Sequence, residues 1–256
     1  MRPINRTIEN DLIKLKGFAS QPKIYGFVSN LWFGGLVDKY PFEYLFFSQD
    51  YDHQKFKKDQ TKEQIKNRVL LKLDKSISIV GSRQPTNYGL QLSYSLASQA
   101  SLAQLVVVSG GAYGIDTASH QGALSVGGLS IAVLAGGINR LYPLENQKLF
   151  KDITKSGLLI SEVMPNTESK PYRFLIRNRL IAALSRSTVV VEAKFISGSI
   201  RTARDAAEIF RPVFAIPGPV TSPLSEGCHR LIAERVADIA TSLDEILEVI
   251  TPLQMR

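Results

Sequence analysis

The chain has 256 residues, 44% of them hydrophobic and 21% charged, and 31 basic against 23 acidic residues give a formal net charge of +8. That length can bury the core of one large domain plus a small appendage, and no apolar run is long enough to cross a bilayer as a helix. A single cysteine, Cys228, excludes an intramolecular disulfide and a cysteine-rich zinc site, and with only three histidines beside it a metal cluster is not expected.

The opening Met1-Arg2-Pro3-Ile4-Asn5 lacks the apolar core of a secretory signal. Together with the lone thiol this sets the cytoplasm as the expected compartment, with no membrane partner. The charge excess by itself favours a polyanionic partner, nucleic acid first and an anionic membrane surface second.

Residues 1–62 are rich in aromatics, from Phe18 and Tyr25 through Trp32 to Phe47 and Tyr51, and show no clean alternation. They are expected to form a small helical N-terminal domain whose aromatics fill its interior, although stacking on bases would use the same side chains. Between 55 and 75 come eight Lys or Arg residues against three acids. A solvated basic helix face and a set of phosphate contacts both fit that run.

From Ser76 onward strand and helix alternate. Apolar runs fall at 77–80, 105–108, 129–134, 158–160, 188–191 and 213–216. Helical segments lie near 88–102, 114–126, 146–155, 174–185 and 199–210, and a last one spans 242–250. Near-continuous apolar strands separated by helices mean a parallel sheet covered on both faces. Residues 63–256 are therefore expected to form an α/β domain, a Rossmann-like, doubly wound, mostly parallel sheet. Ligands of such sheets bind beyond the carboxyl ends of the strands, where the glycine turns of this chain lie.

The first of those turns is Ile79-Val80-Gly81-Ser82-Arg83: glycine for a tight turn, a hydroxyl, and a guanidinium long enough to clamp a phosphate. The second is Ser109-Gly110-Gly111, continuing into Gly114-Ile115-Asp116. Its spacing is not G-x-G-x-x-G, and the next strand runs into Ala135-Gly136-Gly137 without the acid that would bind a ribose, which counts against NAD. Asp116 suits capping of helix N–H groups. His120, one turn on, could join it as an acid–base pair or make a structural hydrogen bond. Arg177-Asn178-Arg179 is read as the first turn of a helix, where positive charge opposes the macrodipole. A bound anion or salt bridges to Glu162 or Glu192 would each explain it.

The most telling turn is Ser197-Gly198-Ser199, set between the run Thr188–Ala193 and a helix, with Arg201 and Arg204 just behind. Unpaired N–H groups at such a helix start hold a phosphate regardless of base or sugar. No G-x-x-x-x-G-K-[ST], H-E-x-x-H or G-x-S-x-G occurs, and carboxylates are sparse in the turns. The pattern is equipped to hold phosphates rather than to cut them, and no catalytic residue is assigned.

The ordered series Ile79–Arg83, Ser109–His120, Ala132–Asn146, Gly157–Glu162, Phe174–Ser185, Val190–Ala203 and Phe214–Ile232 resembles the DNA-processing protein A (Smf) family of bacteria. Its specific phrases are Gly114-Ile115-Asp116 with His120-Gln121-Gly122-Ala123-Leu124, Tyr142-Pro143-Leu144-Glu145-Asn146 and Ala215-Ile216-Pro217-Gly218. The resemblance implies a Rossmann-like domain that binds single-stranded DNA and hands it to a RecA-type recombinase during natural transformation. It also implies a homodimer and no nucleotide cofactor. Carried over by motif and joined to the residues above, the DNA- or phosphate-binding set is Gly81, Ser82, Arg83, Ser109, Gly110, Gly111, Arg177, Asn178, Arg179, Ser197, Gly198, Ser199 and Arg201. Leu175 and Ile176 stand where the family pattern usually has a proline and a basic residue.

Two other functions fit parts of the pattern. Phosphoribohydrolases that release a base from a nucleoside monophosphate carry P-G-G-x-G-T-x-x-E at the corresponding turn. Here that glutamate falls at Thr202 and the leading Pro-Gly-Gly is missing, which leaves no carboxylate to assist cleavage. A nucleotide sensor without catalysis would be revealed by saturation with a mononucleotide.

Overall fold

The computed structural model describes residues 26–28, 45–48 and 73–251. Among the described residues nine strands form one sheet: β1 (Gly26–Val28), β2 (Leu45–Ser48), β3 (Ser76–Val80), β4 (Val106–Ser109), β5 (Ser130–Leu134), β6 (Leu158–Ser161), β7 (Ser187–Val190), β8 (Val213–Ala215) and β9 (Asp238–Ile239). Their order is 1-2-6-5-4-3-7-8-9. The seven strands from β6 to β9 in that order are parallel. Every residue of β3 to β8 is buried, which is why these strands read as unbroken apolar runs.

Helices α1 (Asn87–Leu102), α2 (Ile115–Ser125), α3 (Gln147–Ser156) and α7 (Leu243–Ile250) cover one face. There Ile77, Ile79, Val107 and Val189 meet Leu96, Ala97, Ile115 and Ile246, and Ala132 and Leu159 meet Phe150 and Ile153. Helices α4 (Pro171–Ala183), α5 (Gly198–Glu208) and α6 (Glu226–Ala233) cover the other face. There Val80, Val108, Val133 and Val190 pack on Leu180, Ile181, Ala203 and Leu231. The alternation of side chains along each strand sends successive residues to opposite layers. The expected doubly wound α/β sheet is what forms.

The structure differs from the sequence reading in two places. Within the span expected to be a helical appendage, the two described pieces are strands. β1 pairs antiparallel with β2, and β2 pairs antiparallel with β6, Phe47 opposite Ile160. The remaining residues of 1–62 and the basic run up to Lys72 lie outside the described residues. Second, α4 begins at Pro171, so Arg177-Asn178-Arg179 lies in its middle and not on its first turn. Proline at the first helical position needs no N–H and presets φ, which is why the helix starts there.

Candidate functional site

Strand order reverses at β3: β4, β5 and β6 lie to one side and β7, β8 and β9 to the other. The ends of β3 and β7 therefore part to leave the crevice in which such sheets bind ligands. It is an open cleft of about 860 Å³.

One wall is the loop after β3. A Cβ on Gly81 would stand 2.6 Å from Ile115 Cγ1 and 2.9 Å from the Glu192 carbonyl, so only hydrogen fits. Glu192, just past β7, fastens this loop. Its carbonyl accepts from the Ser82 N–H at 2.6 Å, and its carboxylate accepts from the Thr86 N–H at 2.9 Å and the Thr86 hydroxyl at 2.6 Å. The Thr86 hydroxyl also accepts from the Gly89 N–H and caps α1. Exposed Arg83 projects from the fastened loop, its guanidinium carbon 4.9 Å from the centroid of the Phe174 ring. That is cation–π distance. Tyr142 meets Phe174 edge to face at 5.7 Å. Tyr113, also lining the cleft, donates its hydroxyl to Glu145. That hydrogen bond pushes the phenol up to about 12 and holds the Glu145 carboxyl below its usual range.

The facing wall is the start of α5, with Ser197, Gly198 and Ser199 on the cleft. Ser197 is the N-cap, its hydroxyl accepting from the Ile200 N–H at 3.5 Å. Ser199 Oγ donates to Gly81 O at 2.8 Å and so ties this turn to the first. Asn178 Nδ2 and Thr202 Oγ1 donate to Gly198 O at 3.0 and 3.1 Å. The opening N–H groups of a helix lack intrahelical acceptors and carry the positive end of its dipole.

The floor is buried and charged. Asp116 Oδ2 accepts from the Gly110 N–H at 3.1 Å and the Ala112 N–H at 3.3 Å. Burial raises this carboxyl above its usual range, against the opposing pull of Arg177. Arg177, only 5% exposed, donates through Nη1 to Gly110 O at 2.7 Å and to Val133 O, and through Nε to Asn178 Oδ1 at 3.2 Å. Burial lowers it to about 10, so it is still protonated at neutral pH.

The structure brings some of the expected residues together on the cleft and engages others within the protein. Gly81, Ser82, Arg83, Arg177, Asn178, Ser197, Gly198 and Ser199 come together on the cleft. The Ser109-Gly110-Gly111 turn is buried and bonded within the protein. Asp116 takes the Gly110 N–H, Ser109 Oγ donates to Ile79 O at 2.7 Å, and any side chain on Gly111 would enter Phe150. Arg177 braces the cleft from below through carbonyls. Arg179 pairs with Glu162, and Arg201 pairs with Asp205 at 2.7 Å; neither lines the cleft. His120 does not pair with Asp116. Its Nδ1 lies 2.7 Å from Ser130 Oγ, which donates to Val107 O, so the ring donates from Nδ1. Burial pushes it down to about 3.

The sequence reading missed Lys194, Ile196, Tyr142, Gln84, Ser169 and Thr202 as lining residues. Lys194 was findable, since it follows β7 three residues before Ser197, the interval in which ligand-facing loops of this fold lie. Among the described residues no group of three or more His, Cys, Asp or Glu is placed to hold a metal, and no helix is long and apolar enough to cross a membrane.

Residues 66–251 match the family model described as DNA recombination-mediator protein A. The putative DNA processing protein DprA of Mycobacterium tuberculosis is 43% identical over 176 residues, 69% of this chain and 45% of that protein. DprA of Streptococcus pneumoniae is 43% identical over 181 residues, 71% of this chain and 63% of that protein. The aligned part of the chain thus spans less than two thirds of the length of these relatives. The X-ray structure of Streptococcus pneumoniae DprA superposes with a TM-score of 0.74 at 33% identity, covering 97% of this chain and 82% of that one. A Helicobacter pylori DNA processing protein A, described for its single-stranded DNA binding mode, superposes with a TM-score of 0.73 at 26% identity, covering 88% and 94%.

Proposed function

Because this chain belongs to the DNA recombination-mediator protein A family, we propose that it binds single-stranded DNA in the cleft between the β3 loop and the start of α5. The observation that carries this reading is the pairing of an exposed cation on an aromatic face, Arg83 over Phe174, with a helix N-terminus in the same open cleft. The first suits a base and its phosphate, and the second suits a phosphate alone. Ser82, Ser197, Gly198 and Ser199 would hold the backbone, while Phe174, Tyr113 and Tyr142 offer rings for stacking. Arg177 and Asn178 act as positioning residues. The Helicobacter pylori relative, described for binding single-stranded DNA, supports single-stranded DNA as the class of ligand.

Binding without cleavage fits the side chains present. Asp116, the acid on the cleft floor, accepts two N–H groups of its own turn. Thr202, standing where the phosphoribohydrolase pattern has glutamate, is hydrogen-bonded to Gly198 O. The family further supports a role as recombination mediator that delivers the strand to a RecA-type recombinase, acting as a cytoplasmic homodimer.

Fluorescence anisotropy with a labelled single-stranded oligonucleotide and its duplex, across a salt series, tests the reading. The expected result is preference for the single strand, affinity falling with salt, and at least tenfold weakening in Arg83→Ala. Equal binding to duplex with no effect of the substitution would overturn it, and saturation by a mononucleotide would favour the sensor.

A further inference from the structure

A second depression of about 580 Å³ opens beside the cleft. Tyr142 and Ser169 line both, so the two share a wall. Tyr142 forms the ridge between them: it is 48% exposed, and its edge-to-face contact with Phe174 leaves ring surface uncovered on the open side. Beyond the ridge stand two exposed cations, Arg140 and Lys151, against one acid, Glu168.

A third depression, of about 690 Å³, lies past the other side of α3 and shares no residue with the cleft. It carries Glu145 and Asp152 beside Lys148, and its Lys155 is paired with Asp152 at 2.6 Å. A polyanion leaving the cleft therefore meets uncompensated positive charge in one direction only among these depressions.

We propose that the single strand held in the cleft continues over Tyr142 into the second depression, where Arg140 and Lys151 contact the phosphates of the following nucleotides and Tyr142 presents a face to a base. The inference rests on the reading of the cleft as a single-strand site and adds its extent and direction. A tract of cations interrupted by an aromatic side chain is the arrangement by which sequence-tolerant single-strand binders track a backbone. Arg140 and Lys151 are exposed, so truncating them leaves the fold intact.

The test is salt-dependent anisotropy with oligothymidylates of about four and about sixteen nucleotides, lengths that bracket common single-strand sites. Each lost phosphate contact lowers the slope of log affinity on log salt by about 0.7. The Arg140→Ala/Lys151→Ala variant is expected to lower the slope for the long oligonucleotide by about 1.4 and to leave the short one unchanged. Lys148→Ala, on the third depression, is expected to change neither. A wild-type slope on the long strand would overturn the extension while an Arg83→Ala loss still stood for the cleft. Equal losses on both lengths, or an equal loss in Lys148→Ala, would also overturn it, as a general charge effect. If Arg83→Ala binds both lengths like wild type, the cleft reading falls and the extension with it.

Discussion

Arg177 Nη1 donates to the carbonyl of Gly110 at 2.7 Å from the very space a side chain on Gly110 would need. A guanidinium is thus built into the end of β4, bonded to carbonyls of neighbouring strands and balanced by Asp116. It supports the cleft without reaching for a ligand. That distinction divides the basic residues of the site into braces and contacts, and the two classes respond differently to substitution.

Arg177→Met should destabilise the protein by about 1–3 kcal/mol for each buried acceptor left unsatisfied, because it removes the donor to the carbonyls of Gly110 and Val133 and the positive charge beside Asp116. Arg83→Ala, at an exposed loop position, should change stability by no more than about 0.5 kcal/mol. Urea denaturation of the two variants checks this. Equal losses would mean that Arg83 is also part of the frame.

Asn178 links Arg177 to Gly198, accepting from one and donating to the other. Asn178→Asp keeps the acceptor for Arg177 but removes the donor to Gly198 and adds a negative charge at the cleft. Single-strand affinity should fall about tenfold or more, about 1.4 kcal/mol, and anisotropy at fixed salt reads it. Wild-type affinity would show that the α5 turn is held without this link.

His120 gives the fold an acid-sensitive component. The unfolded chain takes up this proton near pH 6.5, whereas burial delays it in the fold to about 3. Between those values the unfolded state binds more protons, so the contribution is fully present above pH 6.5 and is lost as pH falls toward 3. Asp116, whose carboxyl is raised in the fold, works in the opposite sense. The expected result is a difference of a few kcal/mol in acid sensitivity between wild type and His120→Asn, from denaturation midpoints at pH 7 and pH 4. Parallel profiles would contradict a buried neutral imidazole.

Cys228 is buried, and burial pushes its thiol up to about 12. Alkylation by iodoacetamide at neutral pH should therefore be slow in the native protein and fast in denaturant. Mass spectrometry of the two reactions gives the protection, and rapid native labelling would show that the packing between α6 and β7 opens easily.

The parallel sheet was legible because strands buried on both faces must be apolar throughout, and the glycine turns mark their ends. The cleft was legible in outline for the same reason: Gly81, Arg83 and Ser197–Ser199 each follow a strand. What sequence could not separate is a donor aimed at a ligand from one aimed at the protein. Ser109–Gly111 and Ser197–Ser199 look alike as small-residue turns, yet Asp116 occupies the first. Arg177 and Arg83 both read as anion-binding arginines, yet Arg177 is buried and bonds to carbonyls of the protein while Arg83 is exposed on the cleft. The misplaced start of α4 had a readable cue in Pro171. The strands β1 and β2 had none, since such short segments show too little alternation to be told from helix.

Glu192 fastens both ends of the segment from Ser82 to Thr86, through its main chain at one end and its carboxylate at the other. The loop that carries Arg83 is thereby ordered before any partner arrives. In the proposed complex the conformational entropy lost on association falls on the polynucleotide, whose own stiffness then sets how affinity varies with base composition.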